Sequence, residues 1–193
     1  MSKKFELTTD TKMLCGRKLF RIKALVSFGN VKAGELGGFV EKEENLSHDG
    51  NAWVGGNAKV YGNAKVDGNA KVYGNAMVYG NAKVSGNAKV YGNAKVYGNA
   101  KVYRDAEVYG NAMVYGNAWV DGNAKVYGNA MVYENAMVYE NAKVCENAKV
   151  YGNTKVCGYV WVCENAKVGG NVRVHGDAVI GGLATIVTNG YSD

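Results

Sequence analysis

Cys145 and Cys163 occupy the same place in two copies of VCENAKV, and Glu146 and Glu164 follow them directly. Two thiols and two carboxylates brought to one corner are a donor set for a divalent metal. No histidine joins them, and outward side chains at such a corner face water, so no metal is expected. His175 follows Cys157 at the same interval that separates the two copies. A Cys–His pair is a nucleophile signature when a third group orients the base in a pocket. No third group is in view, and His175 stands only as the catalytic residue of an enzymatic alternative. The most regular candidates bind rather than react. Tyr61, Tyr79, Tyr97, Tyr115, Tyr133 and Tyr151 recur at that interval too, and Lys59, Met77, Lys95, Met113, Met131 and Lys149 stand two places before them. Aromatic and Met-bearing strips favour contact with a partner, and Tyr alternating with Lys suits single-stranded nucleic acid.

These spacings have one origin. From Gly50 to Val187 the chain divides into 23 hexads, G-N-A-x-V-z, without insertion or deletion. The fifth slot is Val in 21 of them and Ile in the other two, so the position tolerates only a branched aliphatic side chain. Period six matches neither a helix nor a coiled coil. A-x-V-z alternates inward and outward as a short half-buried strand does. G-N then reads as the corner, with Gly free in φ and Asn accepting the left-handed region. One such side cannot offset its own ordering entropy, so hexads must stack and share a continuous core.

V-Y-G-N-A-K resembles the hexapeptide rule of left-handed parallel β-helices, a superfamily best known from trimeric bacterial acyltransferases. The resemblance covers residues 50–187 and implies an all-β, left-handed parallel β-helix. This is a triangular β-solenoid with three hexads in each coil, so 23 hexads give about 7.7 coils. Residues three hexads apart then stack, which turns the spacings above into columns. A second tyrosine column holds Tyr73, Tyr91, Tyr109 and Tyr127.

Residues 1–49 follow another plan. All four Phe and six of seven Leu precede residue 47, which separates this segment from the repeats. KFELTT and KLFRIKALVSF read as strands joined by a turn at Cys15 and Gly16, and GELGG reads as a turn. The segment is expected to cap the first coil, whose open edge invites strand addition. Val31, Lys32, Ala33, Gly34, Gly37, Gly38, Phe39, Val40, Leu46, Ser47, Gly50 and Trp53 resemble the lead-in of the YdcK-like bacterial and prophage proteins. Residues 188–193 form a short C-terminal tail.

The acyltransferase resemblance implies an intersubunit site with a catalytic histidine. Against it, no loop leaves the repeats in residues 50–187, and the two histidines are His48 and His175. Ice-binding faces carry ranks of Thr, which these columns lack. The reading is therefore a non-enzymatic rod, presenting Tyr, Lys and Met ladders for self-assembly or multivalent partner binding. The alternatives are an acyltransferase-like enzyme and a weak polyanion binder. A homo-oligomer through a Tyr face or the C-terminal coil end is expected. Net charge is +6, spread at a fixed spacing rather than in a block, so nucleic acid is not the expected partner. No cofactor or small-molecule ligand is indicated. No run of about 18 apolar residues marks a membrane span. Four Cys without a CxxC pattern suit a reducing cytoplasmic setting in a bacterial or phage-associated protein.

Overall fold

A computed structural model describes residues 3–188. Residues 189–193, most of the expected tail, lie outside them. The repeats form a parallel β-solenoid with three faces. One sheet takes eight solenoid strands from Lys59–Val60 to Thr185–Thr188, the second has eight strands and the third has seven. Every rung pairs in parallel with the rung three hexads away, for example Lys95 with Met77 on one side and Met113 on the other. The inward columns are Ala and Val, and from Ala52 to Val150 each is fully buried. Burial of one Val is worth about 1.5–3 kcal/mol, and the ladder supplies the rest of each coil's cohesion.

The corner differs from the expectation in one respect. The left-handed residue is the first slot, with φ near 62–83° at the glycines of the repeat, whereas no Asn of the second slot has a positive φ. The N–H of the third-slot Ala turns back to the preceding z carbonyl, as in Ala76 to Tyr73 at 3.3 Å. A positive φ at the second position alone is the pattern of a type II′ turn.

Asn has another task. Most of the side-chain N–H₂ groups donate to the side-chain oxygen one coil above. One such ladder runs unbroken through Asn63, Asn81, Asn99, Asn117, Asn135, Asn153 and Asn171, with bonds of 2.8–3.3 Å.

Glycine is required at these corners for a second reason. A Cβ on Gly98 would stand 3.0 Å from the Gly116 nitrogen. Five hexads carry a side chain there nonetheless: Arg104, Glu134, Glu140, Glu146 and Glu164, with φ of 56–61°. The corner bond above them lengthens. Asn135 N–H reaches the Gly152 carbonyl at 3.0 Å and Asn141 reaches Gly158 at 3.1 Å, against 2.7 Å for Asn99 to Gly116. The Cβ wedges neighbouring coils apart by a few tenths of an ångström.

The cap consists of β1 (Phe5–Leu14), β2 (Arg17–Ala24) and β3 (Leu36–Val40). β1 and β2 pair antiparallel through the Cys15–Gly16 turn, and β1 continues past KFELTT to Leu14. β3 pairs antiparallel with β2 and parallel with Lys59–Val60, so the cap continues the first sheet and covers its edge. GELGG is only partly a turn. Gly34 has φ +87°, but Gly37 and Gly38 lie inside β3, where a Cβ on Gly37 would collide with Ile22, the Val54 carbonyl and Trp53. Lys4 closes the start of the first coil. Its buried Nζ donates to the carbonyls of Asp49, Gly50 and Ala52 at 3.4, 3.2 and 3.0 Å. Burial lowers its pKa to about 8, against a smaller opposing pull from Asp49.

Candidate functional site

The first face carries the longer tyrosine column. Tyr61, Tyr79, Tyr97, Tyr115, Tyr133 and Tyr151 stack without a gap, with centroids 4.9–5.3 Å apart and ring planes within 9°. The parallel register alone dictates this, since each z residue stands over its counterpart one coil away. Lys59, Met77, Lys95, Met113, Met131 and Lys149 form the neighbouring column in the same register. Burial raises the Tyr61 phenol to about 12, with Tyr79 adding to it. The rings are half-buried and cover one another's planes, so the face offers a line of ring edges beside a column of Met and Lys.

On the second face Tyr91, Tyr109 and Tyr127 stack at 4.8–5.0 Å. Tyr73, of the same column, is not part of the stack and lies instead against its counterpart Gly55, where a Cβ would meet its ring at 2.6 Å. Between the strands Glu107 bridges Lys89 at 3.2 Å and Lys125 at 3.5 Å. Burial pushes this carboxyl up, but the two ammonium groups outweigh it and hold it below its ordinary value.

In the Cys–Glu rungs the two glutamates are exposed as their outward slots suggest, whereas the thiols are withdrawn. Cys145 is 3% exposed beneath the end of the tyrosine stack. Cys163 stands over it, and its thiol is pushed up by burial, then by Cys145 and the carboxylates of Glu164 and Glu146. The Glu164 carboxylate turns to the backbone N–H of Gly182 rather than to the thiols. Among the described residues no group of three or more His, Cys, Asp or Glu is placed to hold a metal ion. His175 is exposed, whereas the neighbouring Cys157 is nearly buried and its thiol donates to the Val174 carbonyl at 3.8 Å. The two side chains therefore do not form a nucleophile pair. His48 is part of the cap. Its ring stacks on Phe5 at 4.3 Å and its Nδ1 accepts the Lys4 N–H at 3.1 Å.

Sequence reasoning passed over the third face. Its z column reads Asp67, Ser85, Tyr103, Asp121, Tyr139, so short residues interrupt the aromatic ones. Two adjoining depressions result. One, of about 520 Å³, lies at Ser85 between Asp67 and Tyr103. The other, of about 240 Å³, lies at Asp121 and is walled by Trp119, Met137 and Tyr139. Arg104, Trp119 and Asp121 line both. The Trp119 ring meets Tyr103 edge-on at 6.1 Å and carries the Lys101 ammonium over its face at 4.2 Å. Arg104 Nε lies 3.6 Å from Asp121. A signal for this place exists in RDAEVY, Arg104–Tyr109, the mid-rod hexad that departs from the repeat in its first, second and fourth slots together.

Three stretches of the rod, residues 70–86, 106–122 and 124–140, match the family described as the YdcK beta solenoid repeat. These three stretches of the rod are similar to the YdcK beta solenoid repeat. Each matched stretch spans one full coil less a residue, so the YdcK repeat is the coil rather than the hexad. All three stretches include residues of the third-face depressions, Lys83 and Ser85 in the first, Trp119 and Asp121 in the second, Met137 and Tyr139 in the third. A comparison with curated proteins finds none that matches. Among the described residues no helix is long and apolar enough to cross a membrane.

Proposed function

We propose that this chain is a non-enzymatic structural rod of a reducing, cytoplasmic compartment, which joins a second copy through its first face. The observation that carries the reading is the column of six parallel rings from Tyr61 to Tyr151. A rigid face with one ring per coil is matched in spacing by another face with the same coil, and a second copy always has it. Rigid aromatic side chains give large contact area at low entropic cost, which suits them to the centre of an interface. Three Met in the neighbouring column adapt to the facing surface, Lys59 and Lys149 stand at its two ends, and the long stem of Lys95 between Met77 and Met113 lets its ammonium reach out to water. Sedimentation velocity over a hundredfold concentration range tests this. Dimers or longer assemblies are expected for the natural chain and monomers for Tyr97→Glu/Tyr115→Glu. A natural chain that remains monomeric throughout, or a charged variant that assembles equally well, overturns it.

A further inference from the structure

On the third face the short residues that interrupt the aromatic column leave two depressions, at Ser85 and at Asp121, two coils apart. On the first face each coil contributes one ring, and successive rings leave no space between them. Ser85 and Asp121 omit their rings on either side of Tyr103. The Asp121 omission opens a gap between the Tyr103 and Tyr139 positions, and the Ser85 omission joins the short Asp67 to leave an open stretch beside Tyr103. The Asp121 slot has Trp119 and Tyr139 as apolar walls. At its floor the Asp121 carboxylate accepts the Gly122 N–H at 2.8 Å through Oδ1. Its pairing with Arg104 is long, at 3.6 Å, and the Arg104 side chain is 74% exposed, so this guanidinium is free to turn to a ligand. The Ser85 slot adds a hydroxyl between Asp67 and Lys83.

The lining charges of the trough nearly cancel, Lys83 and Arg104 against Asp67, Asp121 and Glu140 with the Lys101 ammonium over Trp119 beside them, which favours neither a polyanion nor a polycation. What remains is a line of aromatic planes with donors and acceptors interspersed. A sugar ring has that complementary chemistry: an apolar face of C–H bonds for the indole and phenol planes, and a rim of hydroxyls that both donate and accept. We propose that the third-face trough binds a neutral oligosaccharide lying along the rod axis. One ring sits at Asp121 and another at Ser85, about 9.6 Å apart at about 4.8 Å per coil. The site is independent of the tyrosine face.

The test uses the full chain with cellohexaose and with the hexasaccharide of N-acetylglucosamine, followed by calorimetry and by tryptophan emission. Asp121→Tyr and Ser85→Tyr fill the slots with the residue that twelve other hexads carry there, so both variants keep the fold. At least one hexasaccharide is expected to bind and to shift the emission, with affinity at least tenfold weaker in either variant and unchanged in Tyr97→Glu. Polygalacturonate and spermine serve as charged probes. The proposal is overturned if neither hexasaccharide binds, if the slot-filling variants bind as well as the natural chain, or if a charged probe binds more tightly.

Discussion

The Glu134 carboxylate accepts the backbone N–H of Gly152, one coil above, at 2.7 Å. The first-slot N–H takes no ladder partner, because the bonds between coils use the second-, fourth- and sixth-slot N–H groups, with the fifth in the strand. Glu140 serves Gly158 in the same way at 2.7 Å, and Glu41 in the cap serves Gly62 at 2.6 Å. This explains why glutamate replaces glycine at a left-handed corner. A non-Gly residue there costs about 1–2 kcal/mol, and a charged hydrogen bond returns about 1.5–3 kcal/mol, toward the low end where water competes. Glu134→Gly is therefore expected to stay within about 0.5 kcal/mol of the natural chain, since strain and bond disappear together. Glu134→Ala retains the strain and loses the bond, and a loss of about 1–2 kcal/mol is expected. Denaturant unfolding of both variants decides the matter. Equal stability of Ala and Glu at this position would show that the carboxylate contributes nothing to the corner.

The second prediction concerns an interrupted asparagine ladder. Asn87 donates to Asp105 at 2.9 Å, and the ladder resumes only with Asn123 to Asn141 at 3.2 Å. A carboxylate accepts but has no N–H to pass the chain on. Asp105→Asn supplies that donor and joins the two halves. The gain is a single exposed bond, about 0.5–1 kcal/mol. A thermal midpoint higher by about 1–4 °C is expected from calorimetry. The reverse change, Asn99→Asp in the unbroken ladder, is expected to lower the midpoint by a similar amount.

The solenoid was legible in the sequence because every hexad repeats the same local demand: a small residue, an inward Val and a tight corner. Column membership followed from three hexads making one coil. The task of Asn was not legible, since a residue tolerant of positive φ beside Gly reads as a corner residue, whereas its amide bonds form only once coils are stacked. The pairing of Cys157 with Val174 rather than His175 depends on how far each side chain leans, which register does not specify. The third face was passed over for a different reason. Long uniform columns draw attention to what repeats, while Ser85, Arg104, Trp119 and Asp121 matter by interrupting the repeat.

Stacked phenols respond to alkali as a group. Burial is the main cause that raises Tyr91, to about 12, with Glu107 adding to it. Tyr61 is raised to about 12 as well, and Tyr79, Tyr97, Tyr109, Tyr115 and Tyr133 move in the same direction. The folded chain thus keeps phenol protons that the unfolded chain gives up near pH 10. Stability from this source is full below pH 10 and is lost as pH rises through about 12. Absorbance of tyrosinate at alkaline pH should show a group delayed above the unfolded value, released together with loss of the β signal in circular dichroism. Glu107→Gln should move part of the delayed group toward 10. A single titration centred at pH 10 would contradict the stacked arrangement.

Thr154 stands in the Ala column, where every other residue from Ala52 to Val160 is apolar, and it is fully buried. Its Oγ1 has no hydrogen-bond partner, although its carbonyl accepts the Met137 N–H at 2.9 Å as the ladder requires. A buried hydroxyl without a partner costs about 1–3 kcal/mol. Thr154→Ala removes that cost and restores the residue that 20 of the 23 hexads carry in this slot. The change also deletes a methyl group, worth about 0.8 kcal/mol of burial. The unpaired hydroxyl costs more than the methyl contributes, so the variant is expected to be more stable by about 0.5–2 kcal/mol. Thr154→Val keeps the volume and drops only the hydroxyl, and Val already fills this slot at Val160 and Val172. It should therefore exceed Thr154→Ala in stability. Chemical denaturation of the three chains orders them as Val above Ala above Thr. A natural chain more stable than both variants would mean that the hydroxyl has a partner.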